Sequence, residues 1–453
     1  MLDYLSLLGF ISSFLAGLLF PRKAGWGMLL VAPLLGPATF TLVSSSLFPL
    51  TIYRIAFAIT LGVALSSFDG DLRRSSIFKS TFVKIVFVFT LFVIIISFQD
   101  RPKNLFFSYI PEIILSFLLC FVLIRNEEDL YKLVRIFVWQ AALIGVFIVL
   151  EYFTDFDITV LLRSTIPGYD LYDLQAKQYV YTTRAGFFRA SGIDGNAVQT
   201  GYRLAFLFPL TLWYASRRNL LHVMPLLCVT AGLILLQTRA ALGGIVAGCL
   251  VLFFGFTTMR RIGITSKLKL FLKLALMASI PILFVMVFSP TMLNIATGFW
   301  RESVLPTISG ADLGTQVKTA RIPVALNYFF ANPFLGYGSI MYSYSVVMNY
   351  DDIPAPLLYF LSGGVFLGCL YLLILYYLPK SVFRLTKRAD LRIEQREFLL
   401  FAAAAFVGGV VVLFSNWQEA HFMIMYMLYI SIYKVYMYNS SLTASHIGRF
   451  YGR

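Results

Sequence analysis

Charged residues are scarce in this sequence. They make up 13% of its 453 residues, against roughly 25% in an average globular chain. That is too little to wet the surface of soluble domains, and every long stretch contains an apolar run, so a multi-domain soluble protein is excluded. Acidic side chains are scarcer than basic ones, 22 against 37, for a net charge of +15. No basic stripe or base-stacking platform stands apart from the apolar runs, which argues against nucleic acid as the partner. The three histidines are too scattered for a zinc cluster. The four cysteines (Cys120, Cys228, Cys249, Cys369) all sit in apolar runs, as small core residues do, and do not form a disulfide framework. Low-complexity tracts and an evident inverted repeat are missing. So is a basic segment ahead of the first apolar run at Leu2, and no cleaved signal peptide is expected.

What the sequence has is hydrophobicity: 59% of residues are apolar and 17% aromatic. Runs of spanning length, about 20 residues, lie near 2–20, 28–47, 49–68, 81–98, 105–124, 136–153, 198–215, 220–237, 240–258, 270–289, 357–378, 398–415 and 421–438. An all-α polytopic membrane protein with about 13 transmembrane helices (12 to 14) follows, because an isolated strand could not satisfy its backbone in lipid. Most basic residues fall in one alternating set of gaps: Arg22 and Lys23, Arg73 to Lys79, Arg125 to Arg135, Arg217 and Arg218, Arg260 to Lys269, Lys380 to Arg396, and Arg449 and Arg453. The positive-inside rule makes that set cytoplasmic. Two long polar loops, 154–197 and 290–356, then face outward. The chain divides into N-terminal helices (1–153), a first loop (154–197), central helices (198–289), a large loop (290–356), and C-terminal helices with a cytoplasmic tail (357–453). The loop aromatics, among them Tyr169, Tyr172, Phe187, Trp300 and Tyr328, suit either sugar stacking or an interfacial belt.

Arginines gather on the outer side. Arg239 stands in LLQTRAALGG, at a tight turn between two spans. A guanidinium near hydrocarbon must snorkel or pair, so it serves either as an interfacial anchor or as a clamp that grips phosphate in bidentate fashion. Small residues after it, including Gly243, Gly244 and Gly248, suit close helix packing. Arg184 and Arg189 lie in TTRAGFFRASGIDGN, with Arg203 entering the next span. A helix starting near Ala197, capped by Asp194 or Asn196, would offer free N–H groups to an anion; solvated arginines at a capped re-entry are the alternative. Lys318 and Arg321 precede NPFLGYG, where an amphipathic helix over 321–330 should stop at Asn332-Pro333. Carboxylates or histidines deep in a span, which a proton pathway requires, are few: Glu112 and Glu151 lie near span ends and His222 near the inner face.

These segments resemble the O-antigen polymerase/ligase superfamily. Arg189-Ala-Ser-Gly followed by Asn196 resembles the family's R-x-S-G…N segment, and QTRAALGG its S/T-R-(G/A)-A turn. The stretch from Arg321 to NPFLGYG is similar to the family's large-loop pattern, and LLYFLSGGVFLGCLYLL to the helix after it. The resemblance spans about 184–378. It implies a GT-C-like fold in the bacterial inner membrane and metal-independent glycosyl transfer, without a cofactor, from an undecaprenyl-pyrophosphate-linked oligosaccharide at the periplasmic face. Arg239 and Arg189, helped by Arg321 and Arg184, would hold the pyrophosphate, with Arg203 and Lys318 as further substrate contacts. The family's ligases place a histidine at the foot of the helix after the large loop. Here that stretch reads NYDDIPAPLLYF, which favours a repeat-unit polymerase over a ligase for lipid A-core. Asp351 or Asp352 then becomes the expected base, with Glu419 and His421 in SNWQEAHF as rivals. A chain-length regulator is an expected partner. A flippase for lipid-linked sugars is the alternative from another class; a scaffold without enzymatic activity would leave the outer arginines unexplained.

Overall fold

A computed structural model describes residues 2–31, 41–43, 50–66, 81–97, 115–154, 183–184, 187–188, 190, 192, 197–217, 220–258, 313–338, 355–415 and 420–438, with the backbone alone at some of their ends. In chain order the helices are α1 (Leu2–Leu19), α2 (Pro21–Val31), α3 (Ile52–Ser66), α4 (Thr81–Ser97), α5 (Cys120–Leu123, entered through a π-helical turn at Leu115–Leu119), α6 (Glu127–Thr154), α7 (Ala197–Ala215), α8 (Met224–Leu236), α9 (Arg239–Thr258), α10 (Leu313–Ala331), α11 (Ala355–Thr386), α12 (Ile393–Ser415) and α13 (Ala420–Ile432, followed by a π-helical end at Tyr433–Tyr438). Four of them, α6, α9, α11 and α12, are each long and apolar enough to cross a membrane. The chain is a helical, multi-pass membrane protein. The expected run at 270–289 lies outside the described residues.

Two features differ from the expected all-helical spans. The run at 28–47 is not one helix: α2 ends at Val31, and Thr41–Val43 (β1) pairs antiparallel with Leu50–Thr51 (β2). Pro33, Gly36 and Pro37 stand between them in the sequence and oppose a continuous helix there. A second short ribbon pairs Thr183–Arg184 (β3) with Phe187–Phe188 (β4).

The centre is α7, almost every residue of which is buried. It packs against α6, α8, α9 and α12. Approach is close where side chains are missing: Gly244 of α9 faces Gly408 of α12, whose carbonyl would lie 2.8 Å from a Cβ at 244, and Gly248 faces Ala404. Gly243, one residue along, faces open space. The close-packing stripe is thus narrower than the run of small residues.

One end of the bundle is a belt of basic and acidic side chains. Arg22 reaches Asp129 at 3.6 Å. Glu127 accepts from Arg392 (2.9 Å), Gln395 (2.7 Å) and the Tyr131 hydroxyl (2.5 Å). Arg217 lies over the Trp213 and Tyr131 rings. Arg388 donates to the Tyr436 carbonyl at 2.7 Å, and its guanidinium holds the Asp390 carboxyl below the usual range. Lys434 donates to the Phe121 carbonyl. Among the described residues, the sequence-distant basic gaps at Arg22, Arg125–Arg135, Arg217 and Lys380–Arg396 therefore meet at one end; the gaps at 73–79, 260–269 and 449–453 lie outside the described residues. Each exposed pair contributes at most about 1 kcal/mol, so the belt fixes helix register more than stability.

Candidate functional site

The end opposite the belt carries the turn with Arg239. α8 stops at Leu236, and Gln237 turns the chain with left-handed backbone (φ 49°). Thr238 completes the turn, and Arg239 is the first residue of α9. Gln237 and Thr238 are buried, whereas Arg239 is half-buried. The Thr238 hydroxyl donates to the carbonyl of Ala197, the first residue of α7, at 3.1 Å. It also lies 2.9 Å from where a Cβ at Gly201 would be. The turn that presents Arg239 is thereby pinned to the first turn of α7. The start of α9 at Arg239 and the N-terminus of the 19-residue α7, whose leading N–H groups lack helical acceptors, thus stand side by side.

Gly192, the last residue of the RASG segment, lies at the same place. Gly192 has φ 71°, and a Cβ there would meet Thr200 of α7 at 2.7 Å. Its N–H donates to the carboxylate of Glu151, near the outer end of α6, at 2.8 Å. Both Glu151 and Ala190 are buried. Gly192 and Thr238 therefore touch adjacent residues of α7, Thr200 and Gly201. Arg203, one turn further along α7, is 3% exposed. Glu151 was read in the sequence only as a carboxylate near a span end; its role as acceptor for a residue 41 positions away has no local sequence signal.

Replacing Glu151 with Ala leaves the buried Gly192 N–H without its acceptor, at a cost of about 1–3 kcal/mol. We expect Glu151→Ala to lower thermal stability and glycan output together. Glu151→Gln keeps an acceptor oxygen and should retain most of both. Equal losses in the two variants would show that the carboxylate does more than hold the loop.

The third element is a helix break sealed by a loop. α11 is interrupted at Gly363 and Gly364, where φ and ψ leave helical values. The NPFLGYG turn fills the gap. Tyr337 N–H donates to the Leu361 carbonyl and Gly338 N–H to the Ser362 carbonyl, both at 2.8 Å, while Val365 N–H donates to the Pro333 carbonyl at 2.7 Å. Asn332 closes the turn through its side-chain amide onto the Gly336 carbonyl at 2.5 Å. Here two backbone segments approach so closely that a Cβ at Gly364 would sit 2.2 Å from the Phe334 oxygen. Helix α10, Leu313–Ala331, packs Ala325, Tyr328 and Phe329 against Leu357 and Leu361 of α11. It begins eight residues before the expected start and ends at Asn332 as the sequence suggests.

The remaining expected residues are placed as follows. Arg184 is in β3, Lys318 and Arg321 are in α10, and His421 is in the first turn of α13, each described by its backbone alone. Arg189, Asp351, Asp352 and Glu419 lie outside the described residues. Among the described residues no group of three or more His, Cys, Asp or Glu side chains is arranged to hold a metal ion.

Residues 224–359 match the family described as O-Antigen ligase. This match supports the resemblance to the O-antigen ligase and polymerase superfamily. The matched segment holds the turn with Arg239, helix α10, NPFLGYG and the first turn of α11. The RASG segment and Glu151 lie before it. No curated protein matches the chain significantly.

Proposed function

We propose that the chain is a membrane glycosyltransferase that polymerises undecaprenyl-pyrophosphate-linked oligosaccharide repeat units into O-antigen, capsule or exopolysaccharide, without metal or cofactor. The basic belt faces the cytoplasm and the Arg239 end faces the periplasm, in the bacterial inner membrane. About 13 spans form a GT-C-like fold in this reading. The observation that carries it is the meeting of Thr238 and Gly192 on Gly201 and Thr200, at the N-terminus of α7. That arrangement suits an anion held at the lipid boundary, and pyrophosphate is the anion that a lipid-linked sugar brings there.

The transfer breaks the bond between the anomeric carbon and the pyrophosphate oxygen of one repeat unit. A hydroxyl oxygen of the next forms the new glycosidic bond. Arg239 and Arg189, with Arg184, Arg203, Lys318 and Arg321 in support, neutralise the charge developing on the departing undecaprenyl pyrophosphate. Asp351 or Asp352 accepts the hydroxyl proton, with Glu419 and His421 as the other acceptors to test. Binding both substrates at one site supplies proximity. A chain-length regulator would work alongside.

The family description favours a second reading, transfer of finished glycan to lipid A-core. Surface glycan from a deletion strain separates the two. We expect the ladder of repeats to collapse to a single unit. Complete loss of attached glycan would instead assign a ligase, and lipid-linked repeats trapped on the inner leaflet would assign a flippase.

A further inference from the structure

The belt end of the bundle carries a second feature that the transfer reaction does not use. Between α9 and α11, over the face of α12, lies a groove of about 450 Å³, the size of a small-ligand site. The described residues lining it are Leu250, Val251, Phe254, Gly255, Tyr376, Pro379, Lys380, Phe383, Ala403 and Val407. Its position follows from helix direction. α9 runs from Arg239 toward the belt, α11 runs from the sealed break toward the belt, and α12 runs back. The groove thus extends from mid-bundle to the belt end, over the depth of one leaflet. It lies away from Arg239, so the proposed substrate is not its occupant.

Ordinary lipid contact needs only a convex apolar surface. This surface is concave: buried Ala403 of α12 lies at its floor, between α9 and α11. Leu250, Phe254 and Tyr376 form its walls and are each more than half exposed (51%, 61% and 54%). The lining is almost wholly apolar, and Lys380 at the belt end lines it through its aliphatic stem, with the ammonium beside Tyr376. The Tyr376 hydroxyl takes one of its donors at 2.5 Å, and the Tyr376 ring lies 4.2 Å below it. A lysine has three such donors. Lys387 lies over Phe383, another lining residue, at 5.3 Å. An apolar trough ending in a fixed cation matches an acyl chain ending in an anionic headgroup.

We propose that this groove binds one anionic glycerophospholipid from the leaflet on the belt side, its acyl chain along Leu250 and Phe254 and its phosphate on Lys380. The lipid covers the gap between α9 and α11, which no described side chain fills.

The test is native mass spectrometry of the full chain released from nanodiscs that hold phosphatidylglycerol and phosphatidylcholine in equal amounts. We expect one tightly retained lipid, with phosphatidylglycerol preferred about fivefold, the contribution of one cation near a membrane surface. Lys380→Gln should erase the preference and Lys380→Arg should keep it. Leu250→Trp fills the groove and should reduce retention of both lipids. Equal retention of the two lipids by the wild type, or a preference that survives Lys380→Gln, overturns the proposal. Should Lys380→Gln fail to fold, undiminished retention in Leu250→Trp overturns it equally.

Discussion

Replacing Arg239 with Ala is expected to abolish polymer while the protein still reaches the membrane in normal amount. The side chain is half-buried at the start of α9, and the turn before it is held by Thr238 through the Ala197 carbonyl. Removing the guanidinium therefore leaves the Thr238 anchor of the turn in place. Loss of one preorganised group that stabilises a departing anion costs about a hundredfold to a thousandfold in rate. Arg239→Lys keeps the charge but loses the two-pronged geometry, so it should fall between Ala and wild type. The measurement is glycan ladder length and amount in a complemented deletion strain, with membrane abundance by immunoblot. Polymer of unchanged amount and length from Arg239→Ala would reduce Arg239 to an interfacial anchor.

The second large effect is expected at Gly364. Its backbone (φ 64°, ψ −163°) lies in a region that only glycine occupies readily, at a cost of about 1–3 kcal/mol for other residues. Alanine would add a Cβ 2.2 Å from the Phe334 carbonyl oxygen. Because that atom is backbone, the loop has to leave its seat. Three hydrogen bonds from Tyr337, Gly338 and Val365 go with it, and orphan backbone groups at membrane depth are costly. Gly364→Ala should sharply lower the yield of folded protein or, where protein survives, lower its thermal midpoint and its polymer output. Gly243 provides the control. It is helical and exposed, with no atom within 4 Å of an added Cβ, so Gly243→Ala should be neutral or stabilise by about 0.5–1 kcal/mol. Equal behaviour of the two variants would show that the loop does not seal the break.

Much of this arrangement is legible in the sequence, for physical reasons that also set its limits. Bilayer thickness forces apolar runs of a certain length, so α1, α4, α7, α9 and α12 can be read directly. The cost of moving Lys and Arg across lipid sorts the basic gaps onto one side. The two-residue turn before Arg239 is legible because two apolar runs end on either side of it. The start of α6 at Glu127 carried a signal in Asn126, whose side chain accepts from the Asp129 N–H at 2.9 Å, followed by three acidic residues suited to a helix N-terminus. Hydropathy alone passes over that polar first turn. The break in α11 is marked by the Gly363-Gly364 pair, yet glycine pairs are common in spans. What makes this one a break is the backbone of NPFLGYG, whose seat is a tertiary fact. The bond from Gly192 to Glu151 is of the same kind. No local pattern announces an acceptor that far along the chain.

The most direct measurement is a cryo-electron microscopy structure of the full chain with undecaprenyl pyrophosphate bound. The proposal predicts pyrophosphate density cradled by the Arg239 guanidinium and the leading N–H groups of α7, within hydrogen-bond reach of both. Density settled among the basic side chains of the belt, or anywhere out of reach of Arg239, would contradict it.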